Sequence, residues 1–359
     1  MSPSVAGGAR ADGRTLTRGD AFRTLCVMRF RQFYRESEVI FWSFLFPIGL
    51  SVALGIAFRN RPVEVVRVGV APDAASLVAA LQAAPGIEAE VMDAEGAARA
   101  LRRGRVLLLV ARDAAGAVTY RYDDSRPEAA MARLRVDDAL QKASGRRDPV
   151  PTREEHVREA GSRYIDFLIP GILGMNLMSG GMWGMGFHLV DMRIKKLMKR
   201  LIATPLHRGD FMLAQMVVRL VFMAVEVVFL LGFGWLAFGV PVRGSWLAVL
   251  AVGAVGALSF AGLGLLVASR AATIEKVMGL MNLVMMPMFI CCGSFFSAER
   301  FPDALQPVIQ VLPLTALNDA LRAVVLEGAT LASQSGELLI VGGWGLVSFL
   351  VGLRYFRWV

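Results

Sequence analysis

Six long apolar runs follow one another along the chain, and more polar segments separate them. Each run is about 20 residues long, the length that an α-helix needs to cross a hydrocarbon core of about 30 Å. The runs do not alternate between apolar and polar positions as barrel strands would, so we predict helices. The predicted spans are Val39–Phe58, Tyr164–Val190, Phe211–Val240, Ser245–Ser269, Val277–Phe296 and Glu337–Leu353.

The segment 59–163, between the first two runs, has a different pattern, typical of a small α/β domain. The predicted strands are Val65–Val70, Ile87–Val91, Val106–Val110 and Val118–Tyr122, and the predicted helices are Ala74–Ala84, Ala94–Arg103 and Pro127–Ala143. The predicted fold is therefore an all-α polytopic membrane protein with six transmembrane helices, of which five lie in residues 164–359, and a small α/β domain inserted between helices one and two.

Composition agrees with a membrane protein. Of the 359 residues, 55% are hydrophobic and 19% are charged, and the mean hydropathy is +0.52. A soluble protein of this length ordinarily carries more charge. The first run follows a long basic segment without a small-residue cleavage site, so we expect it to remain as an uncleaved anchor.

The distribution of Lys and Arg predicts the orientation of the chain. Cations are dense before span one, between spans two and three, and after span six, and they are sparse in the short connections on the opposite side. The positive-inside rule therefore places both termini in the cytoplasm and segment 59–163 outside. The net charge of +9 largely reflects this bias, so nucleic-acid binding need not be invoked.

Two cytoplasmic segments have a basic and an apolar face. Within residues 1–38, the stretch Asp20–Glu36 indicates an amphipathic helix at the membrane surface, or else an extension of span one. Within residues 191–205, Ile194, Leu197, Met198, Leu201 and Ile202 form an apolar helical face. The opposite face consists of Arg193, Lys195, Lys196, Lys199 and Arg200. Pro205 should end this helix near Thr204, and its cations would contact either a partner protein or anionic lipid headgroups.

Span three contains two charged residues, Arg219 and Glu226, which are seven positions apart. They lie on one face of the helix, about 10 Å apart along its axis, and each charge costs about 2.5–3.5 kcal/mol at mid-bilayer. We expect both to face the protein interior and to find partners, among them each other, although Arg219 could also snorkel to the surface. A structural contact is favoured over proton coupling.

Spans two and five carry apolar residues that could line a path for a substrate. Methionine is common in span five, and soft side chains suit a promiscuous apolar surface, although core or lipid-facing packing is an equally ordinary role. The candidate residues are Met175, Met178, Met285, Met286 and Phe289. In span two, Gly180 and Gly184 form a G-x-x-x-G that favours close approach of another helix.

The sequence offers no catalytic or metal-binding motif. The three histidines and three cysteines are not arranged at metal-ligand spacing. The G-x-x-x-x-G-K-[ST] loop that binds ATP phosphates does not occur. We therefore expect that this chain is not an enzyme and binds no cofactor of its own.

Two segments resemble the ABC-2 type permease family, the membrane subunits of ATP-binding-cassette exporters. Tyr164–Gln215 is similar in its Pro170-Gly171 pair within span two and in the L-x-x-T-P-x pattern that closes the cytoplasmic helix. Phe301–Val324 resembles the family's outside re-entrant segment, here residues 297–325, with "LPLT" followed by Asp319 and Arg322 at its D-x-x-R positions. The chain departs from the family in "DMRIKKLMKR", where acidic residues and a "GT" are usual.

The resemblance implies the permease subunit of an ATP-driven exporter in a bacterial inner membrane. Such a subunit pairs with a second permease copy, lies among membrane lipids, and carries cytosolic ABC ATPase subunits that hold ATP and Mg. It also implies which residues dock the ATPase: Arg29, Arg31, Arg193, Lys195, Lys196, Lys199, Arg200, Thr204 and Pro205. The expected substrates are amphipathic small molecules or lipid-like compounds. The alternative is a membrane-anchored assembly or sensing protein that works through its outer domain without transport.

Overall fold

The computed structural model describes residues 18–35, 37–59, 65–113, 115–147, 150, 153, 163–202, 208–295, 298 and 301–356. The chain divides into a helical unit, Met1–Arg59 with Arg158–Val359, and a small unit, Asn60–Val157.

The helices of both units, with the strands of the small unit, have the following bounds. In the helical unit they are α1 (Arg18–Arg35), α2 (Ser37–Ile40), a π-helical turn Phe41–Leu45, α3 (Phe46–Arg59), α7 (Tyr164–Met182), a π-helical turn Trp183–Phe187, α8 (His188–Ile194), α9 (Leu197–Ile202), α10 (Arg208–Phe238), α11 (Trp246–Ala268), α12 (Ile274–Cys291), α13 (Gln306–Val311), α14 (Pro313–Arg322), a π-helical turn Ala323–Glu327 and α15 (Ser335–Tyr355). In the small unit they are β1 (Val66–Val70), α4 (Val78–Gln82), β2 (Ile87–Val91), α5 (Ala94–Arg102), β3 (Leu108–Arg112), β4 (Val118–Arg121) and α6 (Pro127–Ala143).

Within the described ranges, six helices are long and apolar enough to cross a membrane, which confirms the predicted number. These spans are Ser37–Ala57, Tyr164–Ile194, Gly209–Phe238, Trp246–Ala268, Ile274–Cys291 and Ser335–Tyr355. Spans two and four form the centre of the helical unit, since 78% and 67% of their most apolar windows are buried, against 17% for span one and 22% for spans five and six.

Spans two and four approach each other closely because glycines remove side chains from their contact. A Cβ on Gly181 would lie 2.7 Å from the Cβ of Phe260, and one on Gly264 would lie 2.8 Å from the carbonyl oxygen of Met182. The sequence pattern pointed instead to Gly180 and Gly184. The π-helical turn in span two changes the angular spacing of its residues, so glycines five positions apart, Gly181 and Gly186, meet span four.

A second bent element follows span five. The helix pair Asp303–Val311 and Pro313–Glu327 is bent by 81°, as in a broken span or a re-entrant loop. The bend occurs at Leu312, whose ψ of 131° is extended, because a residue before proline is pushed out of the helical region. The predicted re-entrant segment 297–325 includes this bend, while residues 297, 299 and 300 lie outside the described residues.

The small unit contains a four-stranded sheet in the order β2-β1-β3-β4. Strand β1 is parallel to β2 and β3, with Val66 opposite Ile87, and β4 is antiparallel to β3. The connections β1–α4–β2 and β2–α5–β3 run in opposite directions across the sheet, so right-handed crossovers place α4 and α5 on opposite faces. The predicted strands and helices are all present. The structure differs at Ala74–Ala84, where a 3₁₀ turn, Pro72–Leu77, precedes α4. It also differs at the third strand, which was predicted at Val106–Val110 and lies at Leu108–Arg112.

We predict that Gly181→Ala destabilises the protein whereas Gly184→Ala has little effect. The first variant forces a methyl group against Phe260, and overpacking of this kind costs about 1–3 kcal/mol. Around a Cβ on Gly184 nothing lies within 4 Å. Thermal unfolding of the two detergent-solubilised variants measures the difference, and equal midpoints would show that the close packing of spans two and four is not as described.

Candidate functional site

The connection between spans two and three is two helices rather than the single helix predicted for residues 191–205. Helix α8 continues span two and ends where the Lys195 N–H donates to the Asp191 carbonyl and the Lys196 N–H to the Arg193 carbonyl. Lys196 then adopts a φ of +55°, in the left-handed region, and α9 begins at Leu197. A single basic-apolar helix was therefore wrong, because the periodicity of the side chains does not reveal a left-handed backbone residue. Thr204 and Pro205 lie outside the described residues.

The side chains around this turn form an exposed basic surface. We define it as Ile194, Lys195, Lys196, Leu197, Lys199 and Arg200, all exposed. The Lys195 ammonium lies 2.8 Å from the Asp191 carboxylate within the same turn of helix. Met198 is buried, as expected for the apolar face, whereas Ile194 and Leu197 are 44% and 38% exposed. The basic surface therefore offers apolar as well as cationic side chains.

Arg193 does not belong to the basic surface. Its Nη1 donates to the carbonyl oxygens of Ala271 at 2.7 Å and Ala268 at 3.2 Å. Its guanidinium carbon lies 4.9 Å from the ring centroid of Phe356. The predicted grouping of Arg193 with the exposed cations therefore differs from the structure.

Arg29 is likewise directed into the helical unit. Its Nε donates to Gln215 Oε1 at 2.8 Å, its Nη1 lies 2.9 Å from His188 Nδ1, and its Nη2 donates to the Gly184 carbonyl at 3.2 Å. The neighbouring Phe30 ring stacks on Phe222 with 5.3 Å between centroids. These contacts fix α1 against spans two and three, while Arg31 is exposed.

The two charges of span three form an ion pair inside the bundle. Arg219 Nη1 lies 3.0 Å from Glu226 Oε1, and the two side chains are 10% and 1% exposed. Arg219 Nη2 also donates to the Leu177 carbonyl in span two at 3.1 Å. Gly180 leaves space for the guanidinium, since a Cβ there would lie 2.7 Å from Nη1. Arg219 therefore joins spans two and three rather than snorkelling to the surface.

We predict that Glu226→Gln and Arg219→Met each destabilise the protein by about 3 kcal/mol, because each leaves one buried charge without its partner. The double variant Arg219→Met/Glu226→Met should lose less than the sum, since it buries no charge. A double-mutant cycle on thermal unfolding in detergent measures the coupling. Additive losses would contradict a direct pair.

A buried polar cluster holds α14 against span two and the segment after span five. Asn318 Nδ2 donates to the Cys292 carbonyl at 3.1 Å and to Ser294 Oγ at 2.9 Å. Ser294 Oγ donates in turn to the Gly171 carbonyl at 3.2 Å. Gly171 permits this approach, because a Cβ there would lie 3.0 Å from the Cα of Ser294. Sequence reasoning noted Gly171 but missed Asn318 and Ser294, because apolar periodicity does not single out an isolated polar residue.

Arg322, which the family resemblance singled out, lies beside this cluster. Its Nη2 donates to the Gly293 carbonyl at 2.5 Å, and its guanidinium carbon lies 3.7 Å from the ring centroid of Phe167. Asp319 is 3.5 Å away across one helical turn. The motif pair therefore connects α14 to span two and to the segment after span five.

Arg163, a residue that sequence reasoning did not select, holds the N-terminal end of span two. Its guanidinium forms two hydrogen bonds with the buried Asp166 carboxylate, at 2.7 and 2.9 Å. It also donates to the carbonyls of Phe238 and Gly239 at the end of span three. The hydrogen bond to Asp166 raises the pKa of Arg163 above its ordinary value.

The candidate path residues are mostly part of the core. Met175, Met178 and Met285 are buried, and Phe289 packs against the same core cluster. Met286 is 60% exposed on the outside of span five. Among the described residues no group of three or more His, Cys, Asp or Glu side chains could hold a metal ion.

The six spans, with the bent pair after the fifth, define a multi-pass membrane protein of the transport class. Residues 38–354 match the family described as ABC-2 family transporter protein, and the chain belongs to this family. The protein is therefore a transmembrane subunit of a transporter. Such permeases are the membrane component, generally not catalytic themselves, and associate with ABC ATPase subunits.

Several proteins are similar to parts of this chain. Nodulation protein J of Bradyrhizobium diazoefficiens is 29% identical over 209 residues, which are 56% of this chain and 76% of that protein. The probable multidrug ABC transporter permease YbhR of Escherichia coli is 23% identical over 168 residues, 47% of this chain and 46% of that protein. ABC transporter G family member 20 of Dictyostelium discoideum is 26% identical over 196 residues, 54% of this chain and 27% of that protein.

Proposed function

We propose that the chain is the permease subunit of an ATP-driven exporter, in which ATP and Mg are bound by separate cytosolic ATPase subunits. The observation that carries this proposal is the basic surface. It lies on a sharp turn between spans two and three, at the position where the family places its cytoplasmic connection. Its cations follow α8, which Arg193 bonds to the rest of the helical unit.

The docking site for the ATPase consists of the exposed cations Lys195, Lys196, Lys199 and Arg200. The exposed Arg31 of α1 is assigned the same docking role. Arg29 and Arg193 contribute by holding α1 and α8 in place. Thr204 and Pro205, which lie outside the described residues, are assigned to the same docking site. Because the chain has basic residues where its family usually has acidic ones, the matching surface of the ATPase should be acidic. Ile194 and Leu197 would supply the apolar centre of that contact.

The proposed assembly contains a second permease copy. Spans one, five and six are the least covered of the six, with 17% of the window buried in span one and 22% in spans five and six. Their exposed apolar side chains, such as Trp42 and Met286, suit either lipid or another transmembrane chain. A path between two copies would then bring Met286 to its edge, with Phe289, Met285, Met175 and Met178 behind it.

The transported compounds are proposed to be amphipathic small molecules or lipid-like compounds. The methionines of span five support this class, because flexible thioether side chains adapt to apolar ligands of different shape. The similarity to a probable multidrug permease of Escherichia coli agrees with it. We place the assembly in a bacterial inner membrane.

We predict that Lys195→Glu/Lys196→Glu/Lys199→Glu releases the ATPase, because three reversed charges would face an acidic partner. Copurification in mild detergent, followed by measurement of ATP hydrolysis, detects the loss. The matched control is Arg99→Glu/Arg102→Glu/Arg103→Glu, which makes the same change of charge at the end of α5 and directly after it in the small unit. Retention of a stimulated ATPase by the first variant would exclude the basic surface as the docking site.

The orientation gives a separate prediction. Both termini and the basic surface should lie in the cytoplasm, and the small unit outside, because cationic connections remain on the cytoplasmic side. In a background without Cys26, Cys291 and Cys292, an impermeant maleimide should label Arg102→Cys in intact cells. It should label Lys199→Cys only after the membrane is opened. Labelling of both sites in intact cells would contradict this topology.

A further inference from the structure

Arg193 occupies the point where three spans end. It belongs to α8, the continuation of span two, and its Nη1 bridges the carbonyl oxygens of Ala268 and Ala271. Ala268 is the last residue of α11, in span four. The ring of Phe356, directly after span six, lies 4.9 Å from the guanidinium carbon. Ala271 and Phe356 are both buried, so these contacts lie within the packed end of the bundle.

The chemistry of these contacts makes them strong and directional. The last carbonyl groups of a helix have no partner within the helix and carry its negative partial charge. A guanidinium is a planar donor that can bond several oxygens at once and also stack on an aromatic ring. Arg193 therefore satisfies main-chain groups that the helix itself leaves unpaired. A lysine could reach one of them but could not reproduce the bridge.

The position of Ala271 extends the connection to span five. Residues 269–273 are the entire link between α11 and α12, and α8 packs against both of these helices. The Arg193 side chain holds the middle of that link. A displacement of α8 must therefore move the ends of spans four and six and the start of span five, or break these bonds.

The exposed cations of the basic surface differ from Arg193, because they point away from the ends of spans four, five and six. Lys195 pairs with Asp191 of its own helix, and Lys196, Lys199 and Arg200 are exposed. The two sides of the same short segment thus differ: one faces outward, and the other is bonded to the bundle. Only one residue, Ile194, separates Arg193 from Lys195, the first cation of the basic surface.

We propose that Arg193 is the positioning residue that transmits movement of the basic surface, when an ATPase binds and hydrolyses ATP there, to the ends of spans four, five and six. This inference rests on the proposed function, because it requires an ATPase on the basic surface. It assigns Arg193 to coupling between the ATPase and the membrane spans rather than to docking.

The test compares hydrogen–deuterium exchange in the full chain copurified with its ATPase, with and without ATP and vanadate. In the unaltered protein, nucleotide should change exchange both in α9 and in residues 268–273. In Arg193→Gln the ATPase should still copurify and α9 should still respond, while the response of residues 268–273 is lost. Without nucleotide, exchange in residues 268–273 should rise about tenfold, because the link opens more readily once the guanidinium no longer holds the Ala268 and Ala271 carbonyls.

Two further variants separate coupling from folding. Arg193→Lys keeps the charge but not the bridge, so it should fold even if Arg193→Gln fails to fold, and it should transmit only part of the response. Arg270→Gln removes an exposed cation from the same link, whose guanidinium lies 4.9 Å over the Tyr355 ring, and should respond as the unaltered protein does.

Three results would overturn the proposal. The first is a nucleotide response of residues 268–273 in Arg193→Gln and Arg193→Lys equal to that of the unaltered protein. The second is loss of ATPase copurification in both variants, since Arg193 would then act in docking. The third is an unaltered chain that retains no ATPase, which would refute the proposed function itself and is recognised before any variant is made.

Discussion

Hydrogen bonds from arginine side chains to main-chain carbonyl groups join the elements of the helical unit, and a main-chain polar group in hydrocarbon needs such a partner. An unsatisfied backbone group in hydrocarbon costs several kcal/mol because no water can replace the missing bond. Five arginines each donate to carbonyl oxygens of another element. They are Arg29 to Gly184, Arg163 to Phe238 and Gly239, Arg193 to Ala268 and Ala271, Arg219 to Leu177, and Arg322 to Gly293. Each therefore links two elements through a main-chain oxygen atom.

This arrangement explains why span two is central. The Leu177 carbonyl accepts a hydrogen bond from span three, and the Gly184 carbonyl accepts one from α1. The Gly171 carbonyl accepts one from the segment after span five. In α8, Arg193 donates to the end of span four. The π-helical turn at Trp183–Phe187 changes which residues face span four and lies beside the Arg29 contact. Such turns are frequent at functional positions in helices. Span two thus connects the proposed docking surface with most of the other helices.

The basic surface and the inner contacts of Arg193 divide one short segment into two roles. Charge reversal on the outer side should affect the association of the partner, whereas loss of the inner bridge should affect what that association does to the spans. In the proposed assembly, the energy of ATP hydrolysis would enter through a contact between chains and reach the membrane helices through bonds within this one.

The sequence by itself determined the six spans, the α/β pattern of the small unit and the family, because apolar length, side-chain periodicity and local motifs depend on neighbours along the chain. It also brought Arg219 and Glu226 onto one face, since seven residues make nearly two helical turns. Only the tertiary structure decided that Gly181 rather than Gly184 meets span four, that Lys196 breaks the connecting helix, and that Arg193 turns inward while Lys195 stays exposed. Those outcomes depend on a π-helical turn, a left-handed residue and carbonyls more than 70 positions away along the chain, none of which leaves a periodic signal.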